Sequence, residues 1–322
     1  MRKKSLGDIN IYNVYISKYY SEKRKISSLN NCLVKIKKES PDIDFAHGLT
    51  GTVYAGLVAY QFHKIAEVPF IISEVRSLFA RNLYSEEILK LSRTAFSNSN
   101  RNIAISTLVK NSVLKRLSLK TDFSIIPALC NSENELKTED YTGKLKKIPQ
   151  LSGNFVFASY SGTHAVKRID LLIEAFNATC QRIPNSVLII AGKTQPEFTR
   201  IKNKKILFTG FLNRKDMNYL LSIMDCCIVS SDFETFSIPI IESLMYGKPV
   251  ISTKCGGPQE IIKNGDCGIL VDKGSGEQLA AAMEKLYLNY DKYDKDFIKK
   301  YFSANYSYEA VKEKYNQFYK SL

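Results

Sequence analysis

Two carboxylates, Glu234 and Glu242, lie eight positions apart in the stretch ETFSIPIIESLMYGKPV. A helix is predicted between them, with Ser237 as its N-cap and Pro239 in its first turn, where a missing N–H has no effect. Gly247 ends that helix. The two acids therefore flank the start of one short helix, which is a favourable place for an anion.

Each acid has a chemical use at this place. Glu242 lies at the edge of the apolar stripe of the helix and can accept two hydroxyl hydrogen bonds, as from a ribose or sugar diol. Glu234 follows a predicted strand at residues 226–230, and open α/β sheets bind ligands at that strand end. The N–H groups of Phe236, Ser237 and Ile238 could hold a phosphate. Taken alone, the same residues also fit a surface helix with two solvated acids.

Nearby glycines and a lysine fit the same interpretation. Gly256 and Gly257 follow a predicted strand at residues 250–253 and let the backbone approach a ligand, although a plain strand-to-helix turn would use them too. Lys167 lies at a predicted helix start, where a cation is unfavourable unless an anion binds. A solvated lysine is the alternative.

The second half of the chain alternates short apolar runs with helical periodicity. Strands are predicted at residues 155–159, 187–191, 206–209, 226–230, 250–253 and 269–271. Such runs indicate a parallel sheet covered on both faces, hence a Rossmann-like domain.

The first half is a less regular α/β region. Its predicted strands cover residues 11–16, 43–47, 70–73, 94–97 and 103–106, and its predicted helices cover 53–66 and 107–117. We predict a first domain at 1–140, a linker at 141–150 within a lysine-rich stretch, and a nucleotide-sugar domain at 151–300. A last helix at 301–322 is expected to cross back to the first domain.

The segment from Glu234 onward resembles the E-x7-E signature of family 4 glycosyltransferases, which are retaining enzymes of the GT-B fold. The matching positions are Glu234, Thr235, Phe236, Ser237, Pro239, Glu242, Ser243, Leu244, Gly247, Pro249, Val250, Gly256, Gly257, Pro258 and Glu260. The resemblance is good over residues 150–322 and weaker over 40–130. It implies an α/β, GT-B-like fold with two Rossmann-like domains facing a cleft.

The resemblance also implies roles for individual residues. Glu242 would hold the ribose and Glu234 the donor sugar, while Lys167 and the amides of 236–238 would stabilise the departing diphosphate. The turn at Gly210 and Phe211 would lie along the nucleobase. It implies no cofactor and no metal, because a lysine and a helix dipole can replace the cation.

The chain departs from the family pattern in three places. The glycine-rich loop that opens the family is absent, so either the entry segment is truncated or the start of the chain has diverged from the family; we expect truncation, which would leave the first domain incomplete. The family histidine position is occupied by Val75, which leaves His47, Glu74 and Arg76 as candidate cleft residues; a structural role for the histidine is the alternative. The family arginine falls near Tyr160, and Arg168 beside Lys167 should point elsewhere.

The predicted activity is transfer of a hexose, with retention, from a nucleotide-diphosphate sugar to a glycan or lipid-linked acceptor in bacterial surface polysaccharide synthesis. The alternative is a catalytically impaired nucleotide-binding remnant or an accessory subunit. A GT-B epimerase lacks candidate acid and base residues here.

Composition limits the partners. The net charge of +14 is best explained by solvated helix faces, and the next alternative is contact with an anionic membrane surface. Nucleic acid ranks last, because the sequence contains no nucleic-acid-binding motif. The seven cysteines show no metal spacing, which predicts buried thiols. No apolar run reaches the ~18 residues that a membrane span needs, and the basic start lacks the apolar region of a signal peptide. We therefore expect a cytoplasmic enzyme, or one bound at the inner face of the plasma membrane.

Overall fold

The computed structural model describes residues 2–6, 9–13, 22–50, 55–130, 141–193, 198, 201–262 and 265–322. The chain forms two compact units, Met1–Ile125 with Leu322, and Ile126–Ser321. The division therefore precedes the predicted linker, and the predicted crossing of the last helix stays a prediction. Parts of three predicted segments, at 14–16, 53–54 and 131–140, lie outside the described residues.

The first unit is an α/β unit with a four-stranded parallel sheet of order β3-β4-β5-β6 and a separate antiparallel pair, β1-β2, among its described residues. Its elements are β1 (Arg2–Leu6), β2 (Ile9–Asn13), α1 (Glu22–Glu39), β3 (Ala46–Thr50), α2 (Ala55–Ala66), β4 (Phe70–Glu74), α3 (Glu86–Asn98), β5 (Arg101–Ala104), α4 (Thr107–Leu117) and β6 (Ser124–Ile125).

One predicted strand of this unit is wrong. Residues 94–97 lie inside α3, which Ser85 caps by accepting a hydrogen bond from the N–H of Ile88. Leu89, Ala95 and Phe96 are buried on one face of this helix, together with Ser92. This helical stripe decides the conformation, because it buries more apolar surface than a four-residue alternation could.

Other strands are displaced from their predicted positions. The strand predicted at 43–47 is β3 (Ala46–Thr50), the one at 11–16 is β2, and the one at 103–106 is β5, which ends at Ala104. Ser106 lies outside that strand because its hydroxyl caps α4, accepting a hydrogen bond from Val109 N–H.

The second unit carries a six-stranded, all-parallel sheet in its described part, with the order β12-β11-β10-β7-β8-β9. Its elements are β7 (Phe155–Ser159), α5 (Ile169–Arg182), β8 (Ser186–Ala191), β9 (Ile206–Gly210), α6 (Arg214–Ile223), β10 (Cys226–Val229), α7 (Ile238–Met245), β11 (Val250–Thr253), α8 (Gly257–Ile261), β12 (Gly268–Val271), α9 (Gly276–Leu288), α10 (Lys295–Tyr306) and α11 (Tyr308–Lys320).

This strand order places a topological switch point between β7 and β10. From β7 the chain runs outward through β8 and β9, then returns to place β10 on the other side of β7. The two strands are fully buried beyond Phe155, as expected for a sheet covered on both faces. The predicted α/β, Rossmann-like architecture is confirmed, and ligands bind such sheets outside the carboxyl ends of the strands at the switch point.

The prediction of buried thiols is confirmed for five of the seven cysteines. All seven are free, and Cys226 and Cys227 are fully buried on β10, whereas Cys32 and Cys180 are half-buried. No described helix is both long enough and apolar enough to cross a bilayer.

Candidate functional site

The site begins with an ion pair at the switch point. Lys167 ends a short 3-10 turn, Ala165–Lys167, that follows β7, and Glu234 follows β10. The Nζ of Lys167 lies 2.7 Å from Oε1 of Glu234, and the two side chains are 18% and 13% exposed. Ser231 donates a second hydrogen bond, of 2.9 Å, to the same carboxylate oxygen. The carboxylate of Glu234 is therefore the anion that pairs with this lysine.

The loop around Glu234 is tied to the neighbouring strand end. The N–H of Glu234 donates to Cys255 O at 2.9 Å, and its carbonyl accepts from Gly257 N–H at 2.9 Å. A Cβ on Gly257 would lie 2.4 Å from Cα of Phe236, so only glycine allows the two backbones to lie this close. Gly256, with φ of 117°, makes the preceding turn. These glycines fix the entry to α7.

The start of α7 differs from the predicted cap. Ser237 is at the N-cap position, and Pro239 is in the first turn as predicted, but the serine hydroxyl makes no capping hydrogen bond. The reason is its backbone: φ of 94° and ψ of 85° are far from the extended conformation in which a capping side chain reaches the helix. In the described part of the chain, the N–H groups of Phe236, Ser237 and Ile238 donate no hydrogen bond. The arrangement leaves donors available to an anion.

Glu242 lies one turn into α7 with its side chain 13% exposed, close to Arg214 at the start of α6. Burial raises the pKa of Glu242, and the guanidinium of Arg214, with Nη1 3.5 Å from Oε1, opposes that rise. Sequence reasoning missed Arg214, because its pairing with Glu242 depends on the packing of two separate helices. A half-buried carboxylate of this kind can accept hydroxyl donors with little competition from water.

The turn after β9 holds Gly210 and Phe211 as predicted, with φ of 66° at Gly210 and the ring of Phe211 82% exposed. Lys144 was not predicted to contribute. Its Nζ donates to the carbonyls of Thr209 at 2.9 Å and Phe211 at 3.0 Å. This turn is therefore held by a side chain from a distant segment.

The two residues near the position of the family arginine, Tyr160 and Arg168, have other partners. Tyr160 donates from its hydroxyl to Pro239 O at 2.7 Å, which joins the end of β7 to the first turn of α7. Arg168 pairs with Asp170 at 3.1 Å and Asp232 at 3.4 Å, so it points elsewhere, as expected. Lys167 is the cation of this turn that contacts Glu234.

The three remaining candidates lie in the first unit. His47 on β3 lies with Nε2 2.6 Å from Ser73 Oγ, and burial lowers the pKa of this histidine. Glu74, at the end of β4, is 1% exposed and accepts the N–H of Arg76 at 2.8 Å. The structure thus brings these residues together in one unit, and their roles stay predictions.

Two curated proteins are similar to parts of this chain. The N-acetyl-alpha-D-glucosaminyl L-malate synthase of Bacillus anthracis is 30% identical over 122 residues, 35% of this chain and 31% of that protein. The lipopolysaccharide core biosynthesis glycosyltransferase LpsE of Rhizobium meliloti is 34% identical over 82 residues, 26% of this chain and 24% of that protein. The chain therefore spans less than half of the length of these curated relatives.

Solved structures of glycosyltransferases share the fold. Anabaena HepE in complex with UDP and glucose aligns with a TM-score of 0.76 at 19% identity, covering 92% of this chain and 84% of that one. A glycosyltransferase from Rickettsia africae gives 0.76 at 21% identity, covering 96% and 84%. The model of the family described as glycosyl transferases group 1 matches residues 143–303, which is half of the chain and includes all six strands of the second unit's sheet. Together with the site geometry, this match shows that the chain belongs to the glycosyl transferases group 1 family.

Proposed function

We propose that the chain is a retaining hexosyltransferase that moves a sugar from a nucleotide diphosphate to a glycan or lipid-linked acceptor. The observation that carries the proposal is the 2.7 Å pair of Lys167 and Glu234 at the switch point, next to the open start of α7. An ammonium, a carboxylate and unpaired peptide donors meet there. A sugar diphosphate presents complementary hydroxyls and anionic oxygens.

The positive side of this site would serve the leaving group. As the bond from the sugar to the diphosphate breaks, negative charge grows on the phosphate oxygen. Lys167 and the N–H groups of residues 236–238 would stabilise that charge, and this electrostatic term is usually the largest in such catalysis. The carboxylate of Glu234 would then exchange its hydrogen bond with the Lys167 ammonium for hydrogen bonds from hydroxyls of the donor sugar, and so position that sugar.

The proposed step exchanges two bonds at the anomeric carbon. The acceptor oxygen bonds to that carbon from the face on which the carbon–phosphate oxygen bond breaks, so configuration is retained. The acceptor proton passes to the departing phosphate. Retention is proposed from the resemblance of the segment around Glu234 and Glu242 to the family 4 signature.

The remaining contacts would bind the nucleotide. Glu242, 13% exposed, would accept the ribose hydroxyls, and the turn at Gly210 and Phe211 would lie along the base. Gly256 and Gly257 would let the backbone approach the donor. No cofactor is proposed, and metal independence is proposed because Lys167 and the α7 dipole supply positive charge.

The acceptor and the place of action are proposed from relatives and charge. LpsE acts in lipopolysaccharide core biosynthesis by its name, which supports a surface-glycan acceptor for this chain. The net charge of +14 supports peripheral contact with an anionic membrane, at the inner face of the plasma membrane.

Calorimetry with UDP and GDP, followed by a donor-sugar hydrolysis and transfer assay, tests the proposal. Wild-type protein should bind one nucleotide and turn over its sugar derivative. Lys167→Ala should lower turnover by about a hundredfold, in the range of one lost oxyanion-type donor. Lys110→Ala, which removes a lysine paired with Asp122 in the first unit, is the matched control and should keep wild-type turnover.

The outcomes separate the alternatives. Binding without turnover of any donor would support the nucleotide-binding remnant or accessory subunit. Absence of nucleotide binding would contradict the assignment altogether. Inverted product stereochemistry would leave the transferase but overturn retention.

A further inference from the structure

Ser237 holds an energetically unfavourable conformation at the start of α7. Its φ of 94° lies in the left-handed region, where a side chain other than glycine is strained. Glycine would adopt this conformation without strain. Backbone geometry alone therefore gives no reason for a serine here.

The serine hydroxyl is also unsatisfied. Ser237 is 5% exposed, and its Oγ has no hydrogen-bond partner in the described part of the molecule. Burying a hydroxyl without a partner is unfavourable, and such groups are uncommon in native proteins. Backbone strain and an unsatisfied buried hydroxyl thus coincide in one residue, and both lower the stability of the fold.

A second unsatisfied hydroxyl lies on the adjoining segment. Ser161 Oγ is buried without a partner in the same described set, and Ser161 follows Tyr160. The Tyr160 hydroxyl donates to Pro239 O, two residues beyond Ser237. The two unsatisfied hydroxyls therefore belong to the two segments that this hydrogen bond joins, one after β7 and one at the start of α7. This is expected if a polar ligand supplies their missing hydrogen-bond partners.

We propose that the hydroxyl of Ser237 is a ligand-binding donor, held in a strained backbone so that it hydrogen-bonds a non-bridging oxygen of the donor diphosphate. The inference rests on the proposed function and adds a side-chain contact to the peptide N–H groups of the same helix start. A hydroxyl donating to a charged oxygen makes a strong hydrogen bond, which offsets the strain only when the ligand is bound. Unliganded protein carries both penalties.

Three variants of the chain described above test this. Ser237→Ala keeps a Cβ in the left-handed conformation and removes the hydroxyl. Ser237→Gly removes the hydroxyl and the strain together. Ser118→Gly is the matched control, because Ser118 has φ of 52° at the C-cap of α4 in the first unit and no place in the site.

The melting temperature and the dissociation constants for UDP, GDP and ADP are measured for each protein. Ser237→Gly and Ser118→Gly should each melt about 2–4 °C above wild type, because each relieves left-handed strain. Both Ser237 variants should bind the preferred nucleotide about tenfold more weakly, the loss expected for one charge-assisted hydrogen bond. Ser118→Gly should bind as wild type does.

Wild-type affinity in Ser237→Ala would overturn the inference while leaving the transferase proposal intact. Weaker binding accompanied by a lower melting temperature in both Ser237 variants would also overturn it, since the serine would then be structural. Failure of wild-type protein to bind any of the three nucleotides would instead contradict the proposed function, so the two failures are distinguishable.

Discussion

At the residue scale, Glu242 combines burial with charge. Burial raises the pKa of its carboxyl above the ordinary 4.5, with Arg214 opposing that shift. Because the pKa is higher in the folded than in the unfolded state, protonation of Glu242 favours folding. Its contribution to the free energy of unfolding is complete below pH 4.5 and is lost as the pH rises through the folded-state pKa. Above the folded-state pKa the buried carboxylate is ionised at a cost in folding free energy, and hydrogen bonds from a ribose diol would stabilise that ionised form.

Glu242→Gln should consequently raise the melting temperature at pH 7 and weaken nucleotide binding. Glutamine keeps the shape and removes the charge, so the difference from wild type should disappear near pH 4, where both side chains are neutral. Each unit by which the pKa is raised corresponds to about 1.4 kcal/mol of unfolding free energy. Thermal unfolding between pH 4 and 8 measures this.

The exposed Glu313 of α11, which accepts a hydrogen bond from Gln317 that a glutamine would preserve, offers the control. Glu313→Gln should leave nucleotide binding unchanged. A Glu242→Gln protein less stable than wild type at pH 7 would mean that the Arg214 pair outweighs desolvation.

Spacing in the sequence predicts individual candidate residues more readily than the contacts between them. Motif spacing predicts Glu234 and Glu242, because the sequence separation of two residues in one loop and helix fixes their relative positions. The contact between Lys167 and Glu234 joins positions far apart in the chain, and only the strand order reveals it. The strain at Ser237 was equally invisible, since the surrounding loops impose its backbone angles.

At the element scale, residues 141–145 are docked on α6. The Tyr141 hydroxyl donates to Asp216 Oδ1 at 2.6 Å and accepts from Leu145 N–H at 3.2 Å. Its ring stacks on Tyr219 with a centroid distance of 4.0 Å. Burial, then the bond to Asp216, raises the pKa of Tyr141 to about 12, so the phenol stays protonated and donates. These contacts position Lys144 so that its Nζ can donate to the carbonyls of Thr209 and Phe211 in the turn after β9.

Tyr141→Phe should destabilise the protein by about 1–3 kcal/mol, because it leaves buried polar groups of Asp216 and Leu145 without this partner. Chemical denaturation measures the change. Tyr308→Phe, at a position 44% exposed on α11, is the control and should unfold within about 0.5 kcal/mol of wild type. Equal stability of Tyr141→Phe and wild type would show that the hydroxyl is replaced by water.

Elements of the second unit were easier to predict than those of the first. Continuous apolar runs mark strands covered on both faces, so β7, β11 and the start of β9 were predicted at their observed positions. In α3 the short alternation at 94–97 imitated a strand. The Ser85 cap and the buried stripe through Leu89 and Phe96 were the signals that could have identified the helix.

At the scale of the whole molecule, the candidate donor site is built within one unit. Lys167, Glu234, Glu242 and the turn at Gly210 all belong to the unit Ile126–Ser321. Their segments follow the carboxyl ends of β7, β9 and β10, which lie at one edge of the same parallel sheet. A nucleotide should therefore act on the stability of this unit first.

Hydrogen exchange of the intact chain, with and without saturating UDP or GDP, tests that expectation. A ligand at 100 times its dissociation constant stabilises the bound state by about 2.7 kcal/mol, which slows amide exchange in the segments it orders. The largest protection should appear just after β7, β9, β10 and β11. Lys167→Ala at the same nucleotide concentration should lose most of it, whereas Lys110→Ala should keep it. Protection greatest in the first unit would contradict the location of the site, because the residues assigned to the diphosphate and ribose would then not be the ones that the nucleotide orders.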